Sequence, residues 1–171
     1  MNTNRIIRDI ALTAMLAAVL IITQLVFSPL PNIQLTFLLL FVYSRCIGSI
    51  RTLIIILINV LVQNFIWGTL NIIYVPAMVI GYSLVPLLLN CVFKKVNNVL
   101  HLALIAILCS LLYSWCFILP SILLTEITFA AYMVGDILFE VLLAGSSFIS
   151  VLWLYERLCK VLKQLQNEYL K

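Results

Sequence analysis

The basic residues of this chain fall in four places only, and long apolar segments separate them. These places are Arg5 with Arg8, Arg45 with Arg51, Lys94 with Lys95, and a C-terminal group of Arg157, Lys160, Lys163 and Lys171. Residues 10–44 and 52–93 contain no charged residue, and residues 96–156 contain acidic residues but no basic one. A helix needs about 20 apolar residues to cross a bilayer, so each segment has room for two crossings. The spacing predicts three hairpins of transmembrane helices.

The composition indicates that lipid, rather than water, surrounds most of the chain. Of its 171 residues, 65% are hydrophobic and 9% are charged, whereas soluble domains carry about 25% charged residues. So few charges cannot cover the surface of a soluble globule. We therefore predict an all-α integral membrane bundle of about six transmembrane helices, with no separate soluble domain.

Three hairpins would bring every basic residue to one side of the membrane. Basic loops resist translocation, so this side is expected to be cytoplasmic, with both termini on it and the protein in the plasma membrane. The net charge of +4 is then a signal of topology and not of nucleic-acid binding. The first apolar run follows two arginines, as in a signal peptide. We interpret it as a retained helix, because its removal would leave an odd number of crossings.

Prolines and polar turns divide the chain further. The expected helices cover residues 9–27, 33–43, 52–65, 73–93, 99–119 and 129–156, and an amphipathic cytoplasmic tail follows at 157–171. Two prolines, Pro29 and Pro31, end the first helix, because proline cannot continue a helix. Pro120 is expected to end the fifth helix, with an outer loop at residues 121–128.

Motifs that assemble catalytic groups are missing from the sequence. It has no phosphate-binding loop, no nucleophile elbow and no His-Glu-x-x-His segment. The single histidine, His101, is expected to be solvated at the start of the fifth helix. The cysteines have no metal-ligand spacing, so we interpret them as small apolar packing residues. We expect no enzymatic activity and no cofactor.

Two carboxylates lie within the last apolar segment. Asp136 and Glu140 are four residues apart and so share one helix face, with Asp136 about 10 Å below the outer end of the helix. A carboxylate inside a membrane is costly and usually marks a pathway or a ligand site. Two interpretations stay open. Both groups are neutralised or hydrogen-bonded and stabilise the bundle, or both face a cavity open to the outside and bind a polar or cationic solute.

Amides and aromatic residues cluster where the third and fourth helices meet the outer surface. The cluster comprises Gln63, Asn64, Trp67, Asn71 and Tyr74, with Tyr113 and Trp115 in the fifth helix. The aromatic residues alone could form the belt found at membrane interfaces, but such a belt needs no amides. Amides and rings beside carboxylates predict a site for a planar, hydrogen-bonding small molecule. The predicted site comprises Asn64, Trp67, Asn71, Tyr74, Trp115, Asp136 and Glu140.

Helix 1 carries a pair of small residues, Ala14 and Ala18, which are four positions apart. Such pairs let two helices approach closely in lipid. The pair is equally compatible with packing inside the monomer and with an interface to another protein.

Over its whole length the chain resembles the substrate-binding S components of energy-coupling factor (ECF) vitamin transporters. The resemblance rests on about six helices in a short chain and on the segment Ala14-Met15-Leu16-Ala17-Ala18. It also rests on the turn Leu30-Pro31-Asn32-Ile33-Gln34-Leu35, which precedes an apolar run ending at Tyr43. Within the family the chain is most similar to members associated with cobalamin or with no assigned substrate.

The resemblance implies a protein that captures a vitamin-like solute from outside and delivers it by toppling within the membrane. The implied partners are a transmembrane coupling subunit, which Ala14 and Ala18 would contact, and two cytoplasmic ATPases. Two alternatives remain. One is an autonomous proton-coupled secondary transporter or channel in which Asp136 and Glu140 relay protons. The other is a non-transporting accessory subunit, which would need no polar outer cavity.

Overall fold

Helices make up nearly all of residues 3–169, the part of the chain that the computed structural model describes, with side chains described for residues 6–168. No strand occurs in this part. The helices are α1 (Thr3–Phe27), α2 (Thr36–Cys46), α3 (Ser49–Ile66), α4 (Tyr74–Leu87), α5 (Val99–Trp115), α6 (Ile118–Thr125) and α7 (Phe129–Tyr169). A π-helical turn, Leu88–Val92, continues α4.

Five helical segments are long and apolar enough to cross a membrane. They are Ile6–Phe27, Ser49–Ile66, Tyr74–Val92, Val99–Thr125 and Phe129–Glu168. The all-helical class is thus confirmed, and the helices are compatible with a multi-pass membrane protein. The sixth expected crossing is α2, which has 11 residues. Its length of about 16 Å is roughly half of the hydrocarbon thickness of a bilayer.

The short helix α2 forms the centre of the bundle. Nine consecutive residues, Thr36 to Ser44, are buried, and the helix contacts α1, α3, α4, α5 and α7. A helix that is apolar on every side is stable only when other elements surround it. The hydroxyl of Tyr43 donates a hydrogen bond of 3.1 Å to the carbonyl of Leu16 and so ties α2 to α1. The longer helices therefore pack around α2.

Polar contacts gather the basic residues at one end of the bundle, the basic end. Arg51, at the start of α3, forms an ion pair of 2.5 Å with Asp9 of α1. The guanidinium of Arg45, at the end of α2, donates to the carbonyls of Phe93 (2.8 Å), Lys94 (2.9 Å) and Val96 (3.0 Å). Asn90, in the π-helical turn, donates to the hydroxyls of Ser44 and Ser49. The first part of α1, the α2–α3 link and the α4–α5 link thus share this end.

The observed helix bounds are shifted by a few residues at most ends, and they differ most from the expected ones in three places. α1 begins at Thr3 and α7 continues to Tyr169 without a break at residue 156. The expected outer loop at 121–128 is mostly helical, because α6 extends to Thr125. Pro120 lies in the first turn of α6. Backbone N–H groups in the first turn make no hydrogen bond within the helix, so proline, which has no N–H, is tolerated there. The proline therefore belongs to the beginning of a helix. The expected tail extends to residues 170 and 171, which lie outside the described residues.

We predict that Gly81→Ala destabilises the contact between α4 and α5. A β-carbon at Gly81 would lie 2.7 Å from Cδ2 of Tyr113 and 3.3 Å from its Cα. The ring of Tyr113 stacks on Tyr82 with centroids 4.2 Å apart, so it has little room to move. We expect a loss of about 1–3 kcal/mol, the usual cost of overpacking, measured as the free energy of unfolding in detergent micelles.

Gly135→Ala is the matched control, because no atom lies within 4 Å of a β-carbon at this position of α7. Alanine is a better helix former than glycine, so this variant should unfold at the same temperature as the parent or slightly above it. Equal destabilisation by both substitutions would contradict the close approach of α4 and α5.

Candidate functional site

A cavity of about 250 Å³ lies between α3, α4 and the α5–α6 link, at the end of the bundle opposite the basic end. We call it the α3–α4 cavity. Its lining residues are Gln63, Asn64, Trp67, Thr69, Tyr74, Met78 and Phe117. Three of the predicted site residues, Asn64, Trp67 and Tyr74, therefore lie together. Amide, hydroxyl, aromatic and thioether groups surround this cavity, and none of its lining side chains is a carboxylate or a basic group.

Asn64 uses most of its hydrogen-bonding capacity within the protein. Its side-chain nitrogen donates to the carbonyl of Val60 at 2.8 Å and lies 3.3 Å from the sulfur of Met78. Its side-chain oxygen accepts from the hydroxyl of Thr69 at 3.1 Å. Asn64 is only 4% exposed. It holds the α3–α4 link against α3, and it leaves one lone pair on its oxygen for a ligand.

Two other predicted residues lie outside the α3–α4 cavity. The side-chain oxygen of Asn71 accepts from the backbone N–H groups of Ile73 (2.8 Å) and Tyr74 (3.3 Å). It thus stabilises the first turn of α4 in the manner of a helix cap. Trp115 is 48% exposed and does not line the cavity. Its position agrees with that of an interfacial belt residue.

Aromatic rings connect the cavity wall to the core. Tyr74 stacks on Phe117 with centroids 6.1 Å apart, and Phe117 contacts Tyr113 edge-on at 5.0 Å. Tyr113 in turn contacts Tyr82 and Phe37 of α2. The hydroxyl of Tyr74 lies 3.3 Å from that of Ser121. These contacts fix one wall of the cavity to the centre of the bundle.

The two carboxylates do not line the α3–α4 cavity, and Asp136 bonds to α5. The hydroxyl of Ser114 donates to Asp136 at 2.8 Å, which links α5 to α7 and favours a stabilising role for this group. One oxygen of Glu140 is buried and has no hydrogen-bond partner among the described residues. The structure therefore does not bring Asp136 and Glu140 into the cavity that contains Asn64, Trp67 and Tyr74.

A second cavity, of about 280 Å³, adjoins the first. We call it the link cavity, because the α1–α2 link covers it. Gln63 and Trp67 line both cavities. The other residues around the link cavity are Gln24, Phe27, Ser28, Leu30, Pro31, Asn32, Ile33 and Gln34. The two cavities therefore share the side chains of Gln63 and Trp67 as lining.

Several amides near the two cavities have unused hydrogen-bonding atoms. Gln24 donates to the hydroxyl of Thr36 at 3.0 Å, and this hydroxyl donates to the side-chain oxygen of Gln34 at 2.8 Å. The side-chain oxygens of Gln24 and Gln63 are buried and have no hydrogen-bond partner among the described residues, and the same holds for both polar side-chain atoms of Asn59. An unsatisfied buried polar group costs about 1–3 kcal/mol. A bound solute or water could remove this cost.

Two of these amides, Gln24 and Asn59, were not predicted as part of the site, although the sequence contains a signal for each. Gln24 continues the series Leu12, Leu16 and Leu20, which are all buried in α1. Asn59 lies four positions before Gln63 in the apolar helix α3. A polar residue on the buried face of an apolar helix is the pattern that would have identified them.

The alanine pair of α1 faces away from the bundle. Ala14 and Ala18 are exposed. The residues that α1 packs against the core are Leu12, Leu16, Ala17 and Leu20. Packing within the monomer therefore does not account for the pair, which stays available for contact with lipid or with another protein.

Comparisons with protein-family models, with curated proteins and with solved structures give no match to this chain.

Proposed function

We propose that this chain is the substrate-binding subunit, or S component, of an ECF-type importer, and that it binds a vitamin-like small molecule offered from outside the cell. The observation that carries the proposal is the pair of adjoining cavities opposite the basic end. Gln63 and Trp67, which line both, offer to a solute an indole ring and an amide oxygen that has no partner among the described residues. Neither cavity is lined by a carboxylate, histidine, cysteine or lysine. Such walls suit binding and not catalysis.

The size of the cavities narrows the class of solute. Their volumes of about 250 and 280 Å³ lie just below the range of roughly 300–1,000 Å³ typical of pockets for drug-sized ligands. A corrinoid such as cobalamin is larger than either cavity. The proposed solute is therefore a smaller, planar molecule with neutral hydrogen-bonding groups, which amides and aromatic rings would recognise.

In the proposed orientation, the two cavities open to the outside of the plasma membrane, and both termini lie in the cytoplasm. The gathering of Arg45, Arg51, Lys160 and Lys163 at one end supports this orientation, because positive charge accumulates on the cytoplasmic side.

The exposed alanines of α1 support a partner in the membrane. Ala14 and Ala18 form a strip of small side chains on a helix whose other outward residues are mostly large, such as Ile10 at 64% and Ile22 at 58% exposure. Small residues let a second helix approach its backbone. The proposed partner is the transmembrane coupling subunit, which would connect the chain to two cytoplasmic ATPases.

The buried, unpartnered oxygen of Glu140 favours a second candidate function, an autonomous proton-coupled transporter. In that case Glu140 and Asp136 would carry protons along the α5–α7 contact. Uptake into liposomes by the protein alone, driven by a proton gradient and abolished by Glu140→Gln, would support this candidate against the S component.

The first prediction from the proposal concerns orientation. In a variant without the five native cysteines, Leu70→Cys should react with a membrane-impermeant maleimide in intact cells, because Leu70 is 59% exposed in the α3–α4 link. Asn97→Cys, exposed in the α4–α5 link, should react only after permeabilisation. The reverse pattern would contradict the proposed orientation.

The second prediction concerns solute binding, with the solute first identified by mass spectrometry of small molecules retained by the purified protein. Gln63→Leu should raise Kd by roughly two- to tenfold, which corresponds to the loss of one hydrogen bond. Trp67→Ala should have a similar or larger effect, because it removes a ring from both cavities. Equilibrium binding in detergent measures both.

Trp115→Ala is the matched control for Trp67→Ala. The two tryptophans are 48% and 52% exposed, but only Trp67 lines the cavities. Affinity should remain unchanged in Trp115→Ala. If both tryptophan variants lose affinity equally, the rings act as membrane anchors and the proposed site is wrong.

The third prediction concerns the partner surface. Ala14→Leu with Ala18→Leu should abolish uptake and co-purification with the ECF module, while solute binding by the isolated chain persists. Ala131→Leu, at an exposed alanine of α7, is the control and should retain uptake. Joint loss of folding and binding in the α1 variant would point to internal packing instead.

A further inference from the structure

A crevice at the basic end lies between the end of α2 and the last part of α7. Its volume is about 430 Å³. The side chains around it are Arg45, Cys46, Tyr155, Glu156, Cys159, Lys160 and Lys163. Those of Glu156, Cys159, Lys160 and Lys163 recur at helical spacing and so share one face of α7. The thiol of Cys46 lies 4.0 Å from the carbonyl of Cys159, which sets α2 against this face. We call this space the basic crevice.

The positive charges of the crevice are not neutralised. A guanidinium has five N–H donors, and Arg45 uses three of them on backbone carbonyls. Its Nε is buried and has no partner among the described residues. In this part of the chain, no ion pair joins a carboxylate to Arg45, Lys160 or Lys163. The carbonyls hold the guanidinium in place while its charge stays available to an anion.

We propose that the basic crevice binds a phosphate group, with Lys160, Lys163 and Arg45 as its cationic partners and the hydroxyl of Tyr155 as a further donor. The crevice contains three cationic side chains and one carboxylate, that of Glu156, so its net positive charge favours binding of an anion. A guanidinium held in a fixed orientation suits phosphate oxygens. The inference does not depend on the proposed solute, because it uses none of the residues around the two cavities at the opposite end.

Two sources could supply the phosphate group. In the proposed orientation the crevice lies at the cytoplasmic end of the bundle, where anionic phospholipids present their head groups, and basic pockets between transmembrane helices bind such head groups. A soluble phosphate compound offers the same oxygens. The test separates the two sources.

The test compares the full-length parent chain with two double variants in nanodiscs of mixed phosphatidylglycerol and phosphatidylcholine. Lys160→Gln with Lys163→Gln removes two positive charges from the crevice. Lys94→Gln with Lys95→Gln removes two charges from the same end of the molecule but outside the crevice. Arg45 is left intact, because its bonds to the α4–α5 link contribute to the fold. Native mass spectrometry counts retained phosphatidylglycerol, and thermal unfolding in pure phosphatidylcholine with added inorganic phosphate reports soluble anion binding.

We expect the Lys160→Gln with Lys163→Gln variant to retain roughly fivefold less phosphatidylglycerol than the parent, or less still. Each basic residue near an anionic surface contributes about 1 kcal/mol to the binding free energy. The control variant should retain the lipid. Retained lipid in both variants, with phosphate raising the Tm of the parent and the control only, would assign the site to a soluble phosphate. Equal loss in both variants, or no response to either source, would overturn the proposal.

Discussion

The burial of α2 is the constraint on which the rest of the structure depends. A helix of 11 residues cannot span the hydrocarbon region, and within lipid every exposed backbone end would lack hydrogen-bond partners. The longer helices surround α2 and contact it on all sides. At its end, Arg45 and Asn90 connect α2 to the α4–α5 link and the π-helical turn. At its beginning, Thr36 connects to Gln24 of α1. The α1–α2 link, which precedes α2, lines the link cavity.

The alternation of charged clusters and apolar segments was sufficient to predict the all-helical class and the long apolar helices, but α6 lies where an outer loop was expected. It was not sufficient to predict the role of α2, because a short apolar run has the same composition whether it crosses a membrane or lies in a core. The expectation that Pro120 ends a helix was wrong for a physical reason. Proline ends a helix in its interior but is tolerated in its first turn, and only the tertiary structure decides between the two.

The site residues illustrate the same limit on a smaller scale. The sequence placed Asn64, Trp67 and Tyr74 together, since the ends of two neighbouring helices must meet. It could not show that the side-chain oxygens of Asn64 and Asn71 would accept hydrogen bonds from the α3–α4 link and from the backbone at the start of α4. These contacts depend on the path of the loop. Nor could it show that Asp136 would bond to Ser114. Gln24 and Asn59, by contrast, carried a usable signal in their polar position on an apolar face.

The length of α7 has a mechanical consequence. Its 41 residues form one unbroken helix of about 60 Å, which contains no proline but has a glycine–serine step, Gly145-Ser146, near its middle, where helices can bend. Asp136 lies near one end, and the lysines of the basic crevice lie near the other. The helix therefore connects the two ends of the molecule directly. A tilt of its first half relative to α5 would move Lys160 and Lys163 against the end of α2 to the extent that the step at Gly145 and Ser146 stays straight.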